Sequence, residues 1–367
     1  RKKKARLTWQ PTIDVLEETA RPTKYIIYIS QGERGYDNGL AVDAKSTAVD
    51  IDLEPGIMYR FRITAVNSGG ESFPSEEVCC YLASEDAPHI LLVDGFQRVA
   101  GPKAFNTENS SGFDMNEEPG VVDRKSPEYC GYQLYFGKDG LGKENATGHG
   151  YSGSELEGMI LAGNTHDWSC VHAQEILKCG QYNLSSCVAS ACPTVNIQHI
   201  DIADIIFGAQ MMDGYSMKPY KTFTPEVRSL MEQLTQNGKG VMVSGAHIGT
   251  DMPLPEEQQF LKQTLKWTSN NSVHAAAGMN IQGMNTTAAL YTEPNEQHYW
   301  VRRMDVLKPS APAFTTMLYG DGEQSCAVAY KGNDYKAISY GFPLECIVSP
   351  EARSAIFAAS IQFLLEK

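Results

Sequence analysis

Pro55-Gly56 makes the chain turn sharply, and Tyr59 stands three residues beyond it at the mouth of the run Met58-Tyr59-Arg60-Phe61-Arg62-Ile63-Thr64-Ala65-Val66-Asn67. Side chains in that run alternate. A period of two places one set on a core and the other in water, so the run reads as a β-strand with one buried face. A tyrosine at this place buries its ring and returns its hydroxyl to backbone near Leu53, forming a tyrosine corner. Strand patterns flank it: residues 4–10 alternate about Leu7 and Trp9, residues 24–30 carry Tyr25, Ile27 and Ile29 on one face, residues 46–53 carry Val49 and Ile51, and residues 78–82 close the set. Asn67-Ser68-Gly69-Gly70 supplies a turn.

With Trp9, Tyr59 and the Ala65-to-Gly70 signature, these pieces make residues 1–86 resemble a fibronectin type III domain. The resemblance implies a spacer or a binding platform more readily than an enzyme.

The chain has 367 residues, 42% hydrophobic and 20% charged, which leaves material for a second and larger core. After the linker 84–88, His89-Ile90-Leu91-Leu92-Val93-Asp94-Gly95 is a continuous apolar run of the kind buried on both faces of a parallel sheet. Similar runs recur at 159–162, 204–207, 240–244, 326–330 and 337–340. Helical patterns alternate with them at 169–179, 224–236, 255–267 and 349–365. The second of these has Thr224 as N-cap, Pro225 at the first position and a stop at Asn237-Gly238. Alternation of this kind predicts an α/β domain over 87–367 with a doubly wound, mainly parallel sheet, which the turn Gly245-Ala246-His247-Ile248-Gly249 makes resemble the class I glutamine amidotransferase-like or flavodoxin-like fold. Ligands bind such sheets outside the carboxyl ends of the strands. Residues 96–157 form a long excursion with interspersed aromatics, Phe105, Phe113, Tyr129, Tyr132, Tyr135, Phe136 and Tyr151, expected to lie over that edge.

Three segments at that edge carry chemistry. Gly163-Asn164-Thr165-His166-Asp167-Trp168 gathers an amide, a hydroxyl, an imidazole, a carboxylate and an indole, although Asn, Thr and Asp also serve as local caps. His172 is read as buried beside this loop. Ser244-Gly245-Ala246-His247-Ile248-Gly249-Thr250-Asp251 contains a Gly-x-His-x-Gly turn similar to the nucleophile elbow of the amidotransferase-like fold, with His247 where Cys or Ser would stand. An imidazole there serves as a base or a ligand but cannot replace a thiol in acyl transfer, and Ser244 is the alternative nucleophile. Tyr340-Gly341-Phe342-Pro343-Leu344-Glu345 places Glu345 near the position of a late catalytic acid, and Asp94 ends the first strand. The expected catalytic set is therefore His247, Ser244, His166 and Asp167. The expected ligand-binding set is Asp94, Asn164, Thr165, Trp168, Asp251 and Glu345.

Other chemistries are disfavoured. A formal net charge of -13 provides no cationic field for nucleic acid, and Arg1-Lys2-Lys3-Lys4-Ala5-Arg6 reads as a solvated strand entry. No apolar run is long enough to span a membrane. The eight histidines contain no HExxH, the nine cysteines contain no CxxC, and no phosphate fingerprint appears, so neither a metal nor a cofactor is expected. Buried free thiols are the expected state of most cysteines. Because the chain begins inside a charged segment without a signal pattern, an upstream domain is expected.

The order of a fibronectin-like module, Ile90-to-Arg98, Ala162-to-Asp167, Val243-to-Asp251 and Gly341-to-Glu345 resembles the C-terminal region of secreted proteins of gut-type Bacteroidetes, labelled xanthan lyases or N-acetylmuramoyl-L-alanine amidases. The resemblance implies an extracellular, periplasmic or cell-surface location and a glycan or peptidoglycan fragment as partner. A lyase needs cationic neutralisation of a uronate, and an amidase needs an open zinc site. The residues assemble neither, which leaves three expectations: an accessory glycan- or cell-wall-directed module, a peptidoglycan-directed hydrolase using Asp94, His166, Asp167, Ser244 and His247, or a structural spacer.

Overall fold

The computed structural model describes residues 3–11, 13–72, 74–98, 103–114, 135–137, 166–212, 220–293, 295, 298–320 and 322–366. The N-terminal part is a β-sandwich. Strand β1 (Lys3–Thr8) pairs antiparallel with β4 (Ala48–Leu53), and β2 (Lys24–Gln31), β3 (Leu40–Asp43), β5 (Met58–Asn67), β6 (Gly70–Glu71) and β7 (Val78–Tyr81) form the facing sheet. Leu7, Ile27, Tyr59, Phe61 and Cys80 fill the space between, with Trp9, Ile29, Val49 and Ile51 packed around them. The tyrosine corner is formed: the Tyr59 ring is buried, and its hydroxyl accepts from the Glu54 N–H at 3.1 Å.

The second part is built on five parallel strands, β8 (His89–Asp94), β12 (Asn183–Val188), β13 (Ile202–Gly208), β14 (Gly240–Gly245) and β21 (Lys336–Tyr340), in the spatial order β12-β8-β13-β14-β21. Their alternate residues enter two different cores because a strand's side chains point to opposite faces. Ile90, Leu92, Ile202, Ile206, Met242 and Ile338 pack with α1 (Trp168–Cys179) and α4 (Pro350–Leu365). Leu91, Val93, Ala203, Ile205, Val241 and Val243 pack with α2 (Pro225–Gln236) and α3 (Pro255–Phe260). Each such buried branched side chain contributes about 1.5–3 kcal/mol relative to exposure.

Helix α2 starts and stops where its sequence signals lie. Thr224 Oγ1 accepts from Val227 N, Pro225 is the first residue, and Gly238 takes φ +71°. The pattern over 255–267 behaves differently. The α-helix ends at Phe260, one π-turn runs to Leu265, Lys266 adopts φ +62°, and Trp267 opens β15 (Trp267–His274) instead of ending a helix.

A mainly parallel, doubly wound sheet is therefore not what forms. The sheet is mixed and strands outweigh helices. Beyond β21 it continues antiparallel through β20 (Ser325–Lys331), β19 (Phe314–Tyr319), β16 (Asn280–Gly283) and β17 (Thr286–Ala289). Short connections are the physical reason, since a two-residue turn can only return a strand antiparallel. Met284 and Asn285, at φ +51° and +58°, make such a turn between β16 and β17. Strand β15 pairs separately with β18 (Arg303–Pro309), and β9 (Lys103–Asn106), β10 (Ser110–Asp114) and β11 (Tyr135–Gly137) form a small antiparallel sheet. The run at 159–162 and the rest of the 96–157 excursion lie outside the described residues.

At its other end the sheet joins the sandwich. Strand β12 pairs antiparallel with β7, Leu184 with Tyr81 and Ser185 with Cys80. Ser186 Oγ accepts from Cys79 N at 2.6 Å and donates to Cys79 O at 2.9 Å. The linker is held as well: Asn183 Oδ1 accepts from Ala83 N, and Asn183 Nδ2 donates to the carbonyls of Ser84 and Ala87.

Candidate functional site

At the carboxyl edge, Asp94 of β8, Ile206 of β13, Ser244 of β14 and Tyr340 of β21 form one row across the sheet. One Asp94 oxygen accepts from Phe96 N at 3.0 Å. Burial, then the neighbouring Glu76, Asp167 and Glu345 carboxylates, raise the Asp94 pKa well above its ordinary value against the pull of the Phe96 N–H. Ser244 Oγ is buried and has no hydrogen-bond partner among the described residues, so no base touches it.

One row deeper on the same face lies a buried polar chain. His172 of α1 contacts Asp204 of β13 through Nδ1 at 2.7 Å and Glu345 through Nε2 at 3.2 Å, and Tyr299 donates its hydroxyl to the other Glu345 oxygen at 2.7 Å. Burial pulls the His172 pKa down, but the charge and hydrogen bonds of Asp204 and Glu345 outweigh it and bring it up to about 10. His172 is therefore an imidazolium between two carboxylates. Glu345 is pushed up by burial and held below its ordinary value by His172 and Tyr299.

The segment after β14 is not an elbow. Among the described residues the non-glycine positions of positive φ are His166, Tyr220, Lys266, Met284 and Asn285, without His247, and no helix follows until Pro255. Asp305 of β18 fixes this turn: one oxygen accepts from Gly249 N at 2.5 Å and Thr250 N at 2.9 Å, the other from Thr250 Oγ1 at 2.7 Å. Burial raises the Asp305 pKa to about 7 despite those bonds. His247 is buried, and burial, with Arg98 and Arg303 nearby, lowers its pKa to about 3, so its ring is neutral. Asp251 accepts from Met212 N at 3.1 Å and Thr222 N at 2.9 Å, a loop fastening.

An aromatic cluster stands beside Glu345. Phe96, directly after β8, stacks on Trp168 at 6.0 Å and meets Tyr299 edge-on at 5.2 Å. Trp168 meets His298 at 5.4 Å and Tyr299 at 5.3 Å. Half-buried His298 and Tyr291 stack with centroids 5.1 Å apart and planes 10° from parallel. His298 Nδ1 donates to Tyr299 O at 2.7 Å, which fixes that ring. Gly208 makes room for the cluster: at φ +50°, a Cβ there would lie 2.1 Å from the Phe96 ring.

Of the residues expected from sequence, Asp94, Asp167, Trp168 and Glu345 gather on one side of this edge, while His247 and Asp251 belong to the turn after β14. His166 is buried at φ +55°, and its carbonyl accepts from Glu77 N at 2.7 Å. Asp167 precedes α1, where its carbonyl, not its side chain, receives the first helical N–H bonds. Asn164 and Thr165 lie outside the described residues. Sequence reasoning missed Asp204, Tyr299 and Asp305. The available signal was a carboxylate inside an apolar run, as in Ile202-Ala203-Asp204-Ile205-Ile206. Among the described residues no three His, Cys, Asp or Glu side chains are arranged to hold a metal ion, and no helix is long and apolar enough to cross a membrane. A groove of about 330 Å³ between α2 and α3 is lined by none of the candidate residues.

Residues 1–80 match the fibronectin type III domain family, which agrees with the sandwich. No curated protein matches the chain. Similar solved structures include the mmIFT52 N-terminal domain (10% identity, 54% of this chain and 90% of that one, TM-score 0.35). They also include the cytoplasmic protein STM1381 from Salmonella typhimurium LT2 (12% identity, 76% and 100%, TM-score 0.38). A third is the exo-β-1,4-mannosidase Op5Man5 from Opitutaceae bacterium strain TAV5 (11% identity, 77% and 37%, TM-score 0.37). Scores this far below 0.5 do not establish a shared fold.

Proposed function

We propose that this chain is the accessory, glycan- or cell-wall-directed part of a secreted envelope protein, and that its second domain holds a sugar ring against the His298–Tyr291 face. The observation that carries this reading is the stacked, half-buried ring pair, backed by Trp168, Tyr299 and Phe96. A preset aromatic face binds the apolar side of a sugar at small entropic cost. Glu345, beside this cluster, is engaged by His172 and Tyr299, and at the turn after β14 Asp251 and Asp305 are engaged by backbone N–H groups.

The test is calorimetric titration of the 367-residue chain with peptidoglycan fragments and with neutral and acidic oligosaccharides. Saturable binding to at least one, weakened about tenfold or more in Tyr291→Ala, supports the reading. Binding to none of them overturns it.

One observation favours a hydrolase instead: Asp94 and Glu345 share a buried neighbourhood and are driven in opposite directions, as a general acid and a carboxylate partner require. Turnover of a bound glycan that is lost in Asp94→Asn while binding persists would replace the accessory reading.

A further inference from the structure

The sheet face that packs against α2 and α3 runs on into the core of the sandwich. Strand register lines up Tyr59, Cys80, Ser185, Leu91, Ala203 and Val241 in one row across β5, β7, β12, β8, β13 and β14. Tyr59 and Cys80 belong to the sandwich core, and Leu91, Ala203 and Val241 to the core under α2 and α3. Ser185 stands between them, half-buried, where the two domains meet. Its hydroxyl has one hydrogen bond among the described residues, to His89 Nε2 at 2.8 Å. His89 opens β8 two positions before Leu91, hence on the same face, and is half-buried too. Asp201 grips its backbone twice: Asp201 Oδ2 accepts from His89 N at 2.9 Å, and Asp201 N donates to His89 O at 2.9 Å. Burial, helped by His199 and opposed by the Asp201 carboxylate, lowers the His89 pKa, which leaves the ring neutral and able to take a proton at pH 7. The serine of the carboxyl edge, Ser244, has no such base beside it.

We propose that Ser185 is a nucleophile with His89 as its general base, and that this pair cleaves esters of small uncharged carboxylic acids. Ser185 Oγ bonds to the ester carbonyl carbon while its proton passes to His89 Nε2, in the tautomer that carries its own proton on Nδ1. The ester C–O bond then breaks, and the leaving alcohol takes the proton from His89. Water next attacks the acyl-serine, giving a proton to the same ring, and Ser185 Oγ recovers that proton as the carboxylic acid leaves. Cys80 and Leu91, the row neighbours of Ser185, favour an apolar acyl group, and a net charge of -13 disfavours an anionic one. Asp201 is the positioning residue. The site is separate from the proposed sugar-binding face: His89 and Asp94 stand at opposite ends of β8, about 16 Å apart, and point to opposite sides of the sheet. Loss of either activity therefore leaves the other open to measurement.

The 367-residue chain is treated with a fluorophosphonate, which phosphonylates activated serines, then digested and mapped by mass spectrometry. Labelling is expected at Ser185 and is expected to be about a hundredfold slower at pH 7 in His89→Gln, whose amide can still hydrogen-bond the serine but is not a base. In the wild type the labelling rate should rise with pH to a plateau, with a midpoint below 6.5. Asp201→Asn, which keeps an acceptor for His89 N, should lower that midpoint by removing the charge. An unlabelled Ser185, a rate unchanged in His89→Gln, or a rate independent of pH overturns the proposal. The substrate class is tested with p-nitrophenyl acetate, whose turnover should stop after phosphonylation and fall about tenfold or more in Ser185→Ala. No turnover by the wild type, or equal turnover by this variant, overturns the ester assignment.

Discussion

Replacing His172 by leucine keeps the volume of the side chain while removing the ring that contacts Asp204 and Glu345, 2.7 and 3.2 Å away in a fully buried site, and leaves Glu345 only its Tyr299 bond among the described residues. Leaving two buried carboxylates facing each other costs about 3–5 kcal/mol. The pH dependence gives an independent magnitude. His172 titrates at about 10 in the folded chain against 6.5 ordinarily, which corresponds to a contribution on the order of 4–5 kcal/mol. Because the folded value is raised, that contribution is fully present below pH 6.5 and is lost as pH rises through about 10. Urea denaturation followed by tryptophan fluorescence, with buried Trp168 as one reporter, measures both quantities. The wild type is expected to lose stability steadily from pH 6.5 to 10. His172→Leu is expected to be less stable by several kcal/mol at pH 6.5 and flat over that window once the slope shared by both proteins is subtracted. A variant within about 1 kcal/mol of wild type at pH 6.5, with the same slope above it, would refute the buried imidazolium.

Two further outcomes follow from single hydrogen-bonded groups. Tyr59→Phe removes the acceptor of the Glu54 N–H and is expected to lower stability by about 0.5–1.5 kcal/mol in urea denaturation. Asp305 has a folded pKa raised from 3.8 to about 7, so the folded chain holds that proton more tightly, and its contribution is fully present below pH 3.8 and lost as pH rises through about 7. Asp305→Asn keeps an acceptor for Gly249 and Thr250 and is expected to lack this component, visible as a difference in the pH profiles of urea midpoints between pH 4 and 7.

What the sequence made legible was local. The Pro55-Gly56-Tyr59 corner and helix α2 each depend on residues within a dozen positions, and each formed where its signals lie. His172 could be read as buried, but its partners stand 32 and 173 residues away, and no periodicity links Asp204, His172 and Glu345. The antiparallel strands after β15 were obscured for a related reason. Their register is set by short turns such as Met284-Asn285, which lacks the glycine that usually marks a left-handed turn. Residues 261–267 show tertiary context overriding a helical pattern: Trp267 is completely buried at the start of β15, and the chain leaves the helix at Lys266 to put it there.

The joined sheet changes what the fibronectin type III domain can contribute. A spacer linked by a flexible segment would leave its edge strand unpaired, and exposed edges invite pairing with other chains. Here β7 has two partners, β5 on one side and β12 on the other, and Asn183 fastens the linker with three hydrogen bonds from one side chain. Strand β12 in turn lies directly beside β8, which ends in Asp94 at the candidate site. Replacing Asn183 by alanine would leave the Ala83 N–H and the Ser84 and Ala87 carbonyls without that partner, at about 1 kcal/mol or more for each group not recovered by water. The carboxyl end of β8, with Phe96 directly after it, is thus joined through two strands to the sandwich, and a truncation between β7 and β8 would expose the β12 edge as well as remove a domain.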